Sequence, residues 1–167
     1  MTKNEEFTEL IKENKGIVFK ICNSYCANKN DREDLAQEII YNLWKSYSRF
    51  NTQYKFSTWM YRVALNVAIS FYRSENKFKN HDPLIEDLVI FEEESGDPTI
   101  DEKNLRRLQE FINELREMDK AIILLYLDDK SHREIAEITG FTETNVATKI
   151  NRIKDKLRTK FINKENY

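Results

Sequence analysis

SHREIAEITGFTETNVATKINRIKDKLR, residues Ser131 to Arg158, holds two helical patterns that meet at Gly140. Ser131 with Glu134 is a capping-box pair that opens the first helix, hydroxyl and carboxylate satisfying free backbone donors. Gly140 suits the left-handed residue that closes it, and Thr142 can cap the next helix. Beyond Thr142, apolar residues recur at Val146, Ile150, Ile153 and Leu157, one helical stripe. At about 100° per residue, Thr144, Thr148, Asn151 and Asp155 point away from that stripe, with Lys149, Arg152 and Lys154 on its flanks. The pattern is a helix-turn-helix, whose second helix enters the DNA major groove. An ordinary helical hairpin shares the turn but not the basic bias of the second helix.

Composition bounds the rest of the chain. It has 167 residues, 40% hydrophobic and 34% charged, with 3 Gly and 2 Pro, which suits an all-α protein. The start, MTKNEEF, lacks a basic segment followed by an apolar run, so no signal peptide is expected. No apolar stretch approaches the roughly 18 residues of a membrane span, and a cytoplasmic protein without membrane insertion is expected. Cys22 and Cys26, four apart on a helical pattern, are expected to be core thiols rather than metal ligands or a disulfide. Gly-rich phosphate loops, HExxH and nucleophile-elbow motifs are missing. Neither catalysis, a cofactor, a metal nor a small-molecule substrate is expected.

The net charge of −2 hides a division. Residues 1–80 carry 13 Lys/Arg against 9 Asp/Glu, a balance of +4. Residues 81–104 carry 1 against 9, or −8, and residues 105–167 carry 13 against 11, or +2. The expected organisation is therefore a helical domain over 1–80, an acidic linker over 81–104 and a helix-turn-helix domain over 105–167. Helical periodicity predicts a first helix from Thr2 through Tyr25 and a second capped by Asn30 or Asp31. The apolar face of the second is Leu35, Ile39, Ile40, Leu43 and Tyr47. Ser57 is expected to cap a third helix, Asp97-Pro98 to start a fourth and Asp119 to cap a fifth. Strand alternation is missing throughout.

Two surfaces of the first block stand out. On the second helix, Asp34, Gln37, Glu38, Tyr41 and Lys45 lie opposite the apolar face, an arrangement that spacing alone reads as solvated. On the third, two apolar arcs leave a narrow stripe of Trp59, Arg62, Asn66, Ser70 and Arg73. An exposed ring in line with Arg and Asn suits single-stranded DNA, because rings stack on unpaired bases and Arg neutralises phosphate. Upstream, Arg49-Phe50, Tyr54-Lys55-Phe56 and Ser57-Thr58 repeat the mix, and about half of these rings must be core.

These residues carry a family resemblance. Asp31-Arg-Glu33-Asp34-Leu35-Ala-Gln37-Glu38, with Trp44 six residues on, resembles the DxEDLxQE…W segment of bacterial sigma factors. Phe56-Ser57-Thr58-Trp59-Met60-Tyr61-Arg62-Val-Ala-Leu-Asn66 is similar to the promoter-melting segment that follows it in that family. The terminal helix-turn-helix resembles the family's fourth region, with its Gly140, Thr142, Val146 and Arg152 pattern. Three motifs in order, with a short linker and no third region, resemble the extracytoplasmic-function (ECF) type over nearly the whole chain.

The resemblance implies roles. Asp31, Asp34, Leu35, Gln37, Glu38 and Tyr41 would bind core RNA polymerase, which gives the polar face a purpose. Lys55, Phe56, Ser57, Thr58, Trp59, Arg62, Asn66 and Arg73 would hold the unwound strand of the minus-ten element, one base being flipped into a pocket. Thr142, Thr144, Asn145, Thr148, Lys149, Asn151, Arg152 and Lys154 would read the minus-thirty-five element as duplex promoter DNA. An anti-sigma factor is a common partner in the group. The run Glu92-Glu93-Glu94 resembles in charge the linkers that relatives thread through the polymerase cleft. The chain departs from the family at Ser70, where Asp is common, and at Asp129-Lys130, where Gly is common. Ala147 and Lys149 stand where Lys and Arg are frequent, so fewer phosphate contacts or another minus-thirty-five sequence are expected. The competing readings are a dimeric helix-turn-helix regulator that binds duplex without polymerase, and a helical adaptor for a protein partner.

Overall fold

The computed structural model describes residues 1–78 and 99–165, with side chains through residue 74 in the first stretch and residue 162 in the second. The described residues form helices and no strand, in two compact units, Met1–Asn104 and Leu105–Tyr167. Most of the acidic 81–104 segment, with Glu92-Glu93-Glu94 and the expected helix start at Asp97-Pro98, lies outside the described residues.

The first unit contains α1 (Lys3–Glu13), α2 (Lys15–Tyr25), α3 (Lys29–Ser46), a 3-10 turn at Tyr47–Arg49 and α4 (Phe56–Phe78). Thr2 and Glu5 make a full capping box on α1, as their spacing predicts. The single first helix is corrected to two, because Asn14 leaves helical geometry and its side-chain amide donates to the Leu10 carbonyl at 2.9 Å. Asn competes with the backbone ladder in this way, and Gly16 just beyond adds no helix preference. Asn28, not Asn30 or Asp31, caps α3, accepting from the Asp31 N–H at 2.8 Å. Arg32 reaches back from α3 to donate to the Cys26 and Ala27 carbonyls at 3.2 and 2.8 Å, a cation on the negative end of α2. Helix α4 begins at Phe56, so Ser57 lies inside its first turn rather than at its cap.

Helices α2, α3 and α4 pack mutually around Ile21, Leu35, Ile39, Leu43, Met60, Tyr61, Ala64 and Ala68. Phe7 ties α1 to this core through the Trp44 and Tyr47 rings, at 5.1 and 5.2 Å between centroids. Cys22 and Cys26 are buried free thiols. Burial pushes the Cys22 thiol up to about 11, against the opposing pull of Arg32. It is a packing group, not a nucleophile.

The second unit contains α5 (Ile100–Glu114) from Leu105 onward, α6 (Glu117–Leu127), α7 (His132–Thr139) and α8 (Glu143–Glu165). Thr99 and Glu102 cap α5 reciprocally, each bond 3.2 Å. Arg116 occupies the cap of α6 without a side-chain bond, which corrects the expectation for Asp119, now in the first turn. At the end of α6 the Lys130 N–H reaches the Leu125 carbonyl and the Asp129 N–H that of Tyr126, both at 3.1 Å. This is a Schellman closure with Asp129 in the left-handed position, φ 59°. The loop thus takes the conformation usual for Gly without a Gly, an option open to Asp.

Candidate nucleic-acid interface

On α3 the seam Leu35–Ile39–Leu43 is completely buried. Leu35 is therefore core, a correction to its place among polymerase contacts: it supports the outer face from beneath. Asp34, Gln37, Glu38, Tyr41 and Lys45 are exposed on that face. Asp31 is half-buried, its carboxylate accepting from the Asn28 amide at 2.7 Å, so it shares in the cap of the helix. Ile40 and Trp44 also stand exposed, at 40% and 41%. Ile40 is thus not on the buried face where its spacing predicts it, and the pattern holds the reason. The Leu35–Ile39–Leu43 row already fills the seam, so Ile40 and Trp44 form a second i, i+4 row beside it. The outer face is consequently amphipathic, with carboxylates and apolar groups side by side.

On α4 the outward stripe of Arg62, Asn66, Ser70 and Arg73 is exposed, as is Lys55 just before the helix. Trp59 differs from expectation. It is half-buried, in a ring cluster with Phe50 at 5.2 Å, Phe56 at 5.4 Å and Tyr47 at 6.3 Å. Phe50 meets Phe56 edge-on at 5.6 Å. Thr58 is buried and Ser57 half-buried, so Thr58 is corrected from a strand contact to a packing residue. In the loop before α4, the Asn51 carboxamide accepts from the Gln53 N–H at 3.0 Å, an Asx turn that leaves Tyr54 and Lys55 exposed.

On α8 the inner and outer residues separate cleanly. Val146, Ile150 and Ile153 are fully buried, and Thr142, Thr144, Asn145, Thr148, Asn151 and Arg152 are exposed. Gly140 closes α7 at φ 83°, where an L-residue with a Cβ pays about 1–2 kcal/mol. Thr142 then caps α8 by accepting from the Asn145 N–H at 3.1 Å. The Thr148 hydroxyl donates to the Thr144 carbonyl at 3.0 Å, which fixes its rotamer. The flanking lysines turn back toward the protein: Lys149 lies 3.9 Å from Asp119 and Lys154 4.5 Å from the centre of the Tyr126 ring.

Chemically, the first unit presents rings beside cations next to a loop, and the second presents short polar groups along a groove-sized helix. The Sigma-70 region 2 model matches residues 10–78, and the Sigma-70, region 4 model matches residues 105–157. The RNA polymerase sigma factor SigV of Bacillus subtilis (strain 168) is 30% identical over 144 residues, 85% of this chain and 82% of that protein. The chain belongs to the sigma-70 family of RNA polymerase sigma factors.

The ECF RNA polymerase sigma factor SigW of the same organism is 27% identical over 164 residues, 92% of this chain and 88% of the relative. The type is thus ECF, and this sigma factor acts in transcription initiation. Two solved structures share its fold at 18% identity. CnrH in complex with the cytosolic domain of CnrY has a TM-score of 0.68, covering 95% of this chain and 89% of that one. The sigma factor RpoE, in complex with the anti-sigma factor NepR from Bartonella quintana, has a TM-score of 0.66 with 95% and 96% covered.

Proposed function

We propose that this sigma factor docks core RNA polymerase through the outer face of α3, using Asp34, Gln37, Glu38 and Tyr41, with Asp31 holding the start of that face. The apolar Ile40 and Trp44 beside them supply area that charge alone would not. Residues 1–80 then act as one unit, in which α4 and the loop before it receive the unwound minus-ten strand. Lys55, Arg62 and Arg73 offer charge to phosphate, Asn66 offers hydrogen bonds, and the edge of the Phe56–Trp59 cluster offers a stacking surface. Residues 105–167 read the minus-thirty-five duplex through Thr142, Thr144, Asn145, Thr148 and Asn151, with Arg152 on phosphate. Residues 81–104 serve as the acidic tether. The observation that carries this reading is the pairing, in one chain, of a ring-and-cation surface with a groove-reading helix. The first rewards unpaired bases and the second paired ones.

An anti-sigma factor is a fitting partner, since the sigma factor RpoE of the same fold was caught with the anti-sigma factor NepR. A cytoplasmic setting agrees with the absence, among the described residues, of a helix long and apolar enough to cross a membrane. The proposed activity needs no cofactor and no small-molecule substrate, and core polymerase supplies the chemistry. The −8 segment beside blocks of only +4 and +2 should repel phosphate in the isolated chain. Gel shifts at physiological salt test this. Promoter duplex should bind only when core polymerase is added, whereas nanomolar specific binding by the free chain favours the dimeric regulator.

A further inference from the structure

Counting cations along α8 suggests a row of phosphate contacts, but the side chains are not so disposed. At about 100° per residue, Lys149 and Lys154 fall on opposite sides of the Val146–Ile150–Ile153 seam. Each is half-buried and each is held by the body of the second unit. Lys149 pairs with Asp119 of α6 at 3.9 Å and lies over the Phe141 ring of the turn at 5.0 Å. Lys154 lies over the Tyr126 ring of α6 at 4.5 Å. A partly desolvated cation is held over a ring face more firmly than an exposed one, and the Asp119 pair, with both side chains largely covered, is shielded from salt better than a surface pair.

We propose that Lys149 and Lys154 are positioning residues that pin the rotation of α8 from its two flanks and do not contact phosphate. An apolar seam resists separation of helices more than it resists a roll about the helix axis, because hydrophobic burial is non-directional. Two cations clasped on opposite flanks supply the missing direction. A helix with its side chains is about 10–12 Å across, so a roll of about 20° moves an outward tip by roughly 2 Å. That shift breaks a hydrogen bond whose tolerance is a few tenths of an ångström. Thr144, Thr148 and Asn151, which face outward opposite the seam, therefore depend on the pins for their register against base edges.

The inference rests on α8 as the minus-thirty-five reader, and the test separates the two. Holoenzyme reconstituted from core polymerase and the full chain forms complexes on a promoter library randomised at minus thirty-five, over a range of salt. Wild type must show a minus-thirty-five preference, and indifference there overturns both readings. Arg152→Ala is the control for a phosphate contact, lowering the log–log salt slope by about 0.9. Lys154→Met keeps the packed stem and loses the cation, while Tyr126→Leu removes the ring. Both should alter the preference about fivefold or more, leave the salt slope at the wild-type value and be non-additive when combined. Lys154→Arg, which keeps a cation over the ring, should restore the wild-type preference. Lys149→Met and Asp119→Asn should behave as a second such pair, and thermal unfolding of each variant checks that the unit is folded. A Lys154→Met slope lowered by about 0.9, with all minus-thirty-five sequences weakened equally, overturns the proposal. An unaltered preference in folded Lys154→Met and Lys149→Met also overturns it.

Discussion

The two helices proposed to meet DNA, α4 and α8, divide core from surface in opposite ways. On α8 the seam of Val146, Ile150 and Ile153 is fully buried and the outward Thr144, Thr148 and Asn151 are exposed, so the proposed reading and the folding draw on different side chains. On α4 the proposed reading gives both tasks to Trp59, which has one part of the ring against Phe50 and Phe56 and the rest at the surface. The difference fits what each surface is proposed to recognise. Hydrogen-bond readout of a duplex needs small groups in fixed directions, which a helix can display without sharing its core. Stacking on an unpaired base needs a broad apolar face, and in water such a face holds its place only when other rings support it.

The comparison predicts where substitutions will mix stability with function. Trp59→Ala should have the largest effect. Truncating a fully buried Trp costs about 3–5 kcal/mol, and a half-buried one about half of that, read as a lower urea midpoint. On pre-melted bubble promoter the folded fraction should regain much of its activity, since the stacking loss of about 1–3 kcal/mol per base bears on strand opening. Full activity on duplex promoter would show that the ring is packing alone.

Asn151→Ala should leave the unfolding curve within about 0.5 kcal/mol of wild type, as for surface positions generally. It should also lose about 1–3 kcal/mol of discrimination at one minus-thirty-five position. A stability loss as large as that of Trp59→Ala would break the contrast between the two helices. Ser131→Ala, which removes the acceptor of the Glu134 N–H, should cost about 1 kcal/mol in the second unit. The smallest effect is a gain. Asp129→Gly relieves a left-handed residue of about 1–2 kcal/mol while adding about 0.5–1 kcal/mol of unfolded-state entropy. The net is a rise of a few tenths to about 1 kcal/mol, visible as a slightly higher Tm.

The same contrast explains what could be read from the sequence. The helix-turn-helix was legible almost residue by residue, because its signals are local: a cap at Ser131, a left-handed Gly140, a cap at Thr142 and one apolar row. The first unit was legible as helices but not at their joints. Asn14 breaks a continuous apolar stripe, and the true starts of α3 and α4 fall one to a few residues before the expected caps. Periodicity registers faces, whereas helix ends are settled by individual hydrogen bonds such as Asn28 to Asp31. The state of Trp59 was hidden because its neighbours Tyr47 and Phe50 come from the preceding turn rather than from α4. Lys149 and Lys154 were hidden likewise, their partners lying on α6 and in the turn.

On the proposed reading, one chain directs polymerase by joining a strand-holding unit to a duplex-reading unit. Run-off transcription with bacterial core polymerase, with and without this chain, tests it most directly, on templates intact or scrambled at minus ten or minus thirty-five. Core alone should give no promoter-specific transcript, and a discrete one should appear when the chain is added. Scrambling minus ten should abolish that transcript on duplex DNA, and scrambling minus thirty-five should weaken it. Core transcription unchanged by the chain, together with tight duplex binding by the free protein, would contradict it.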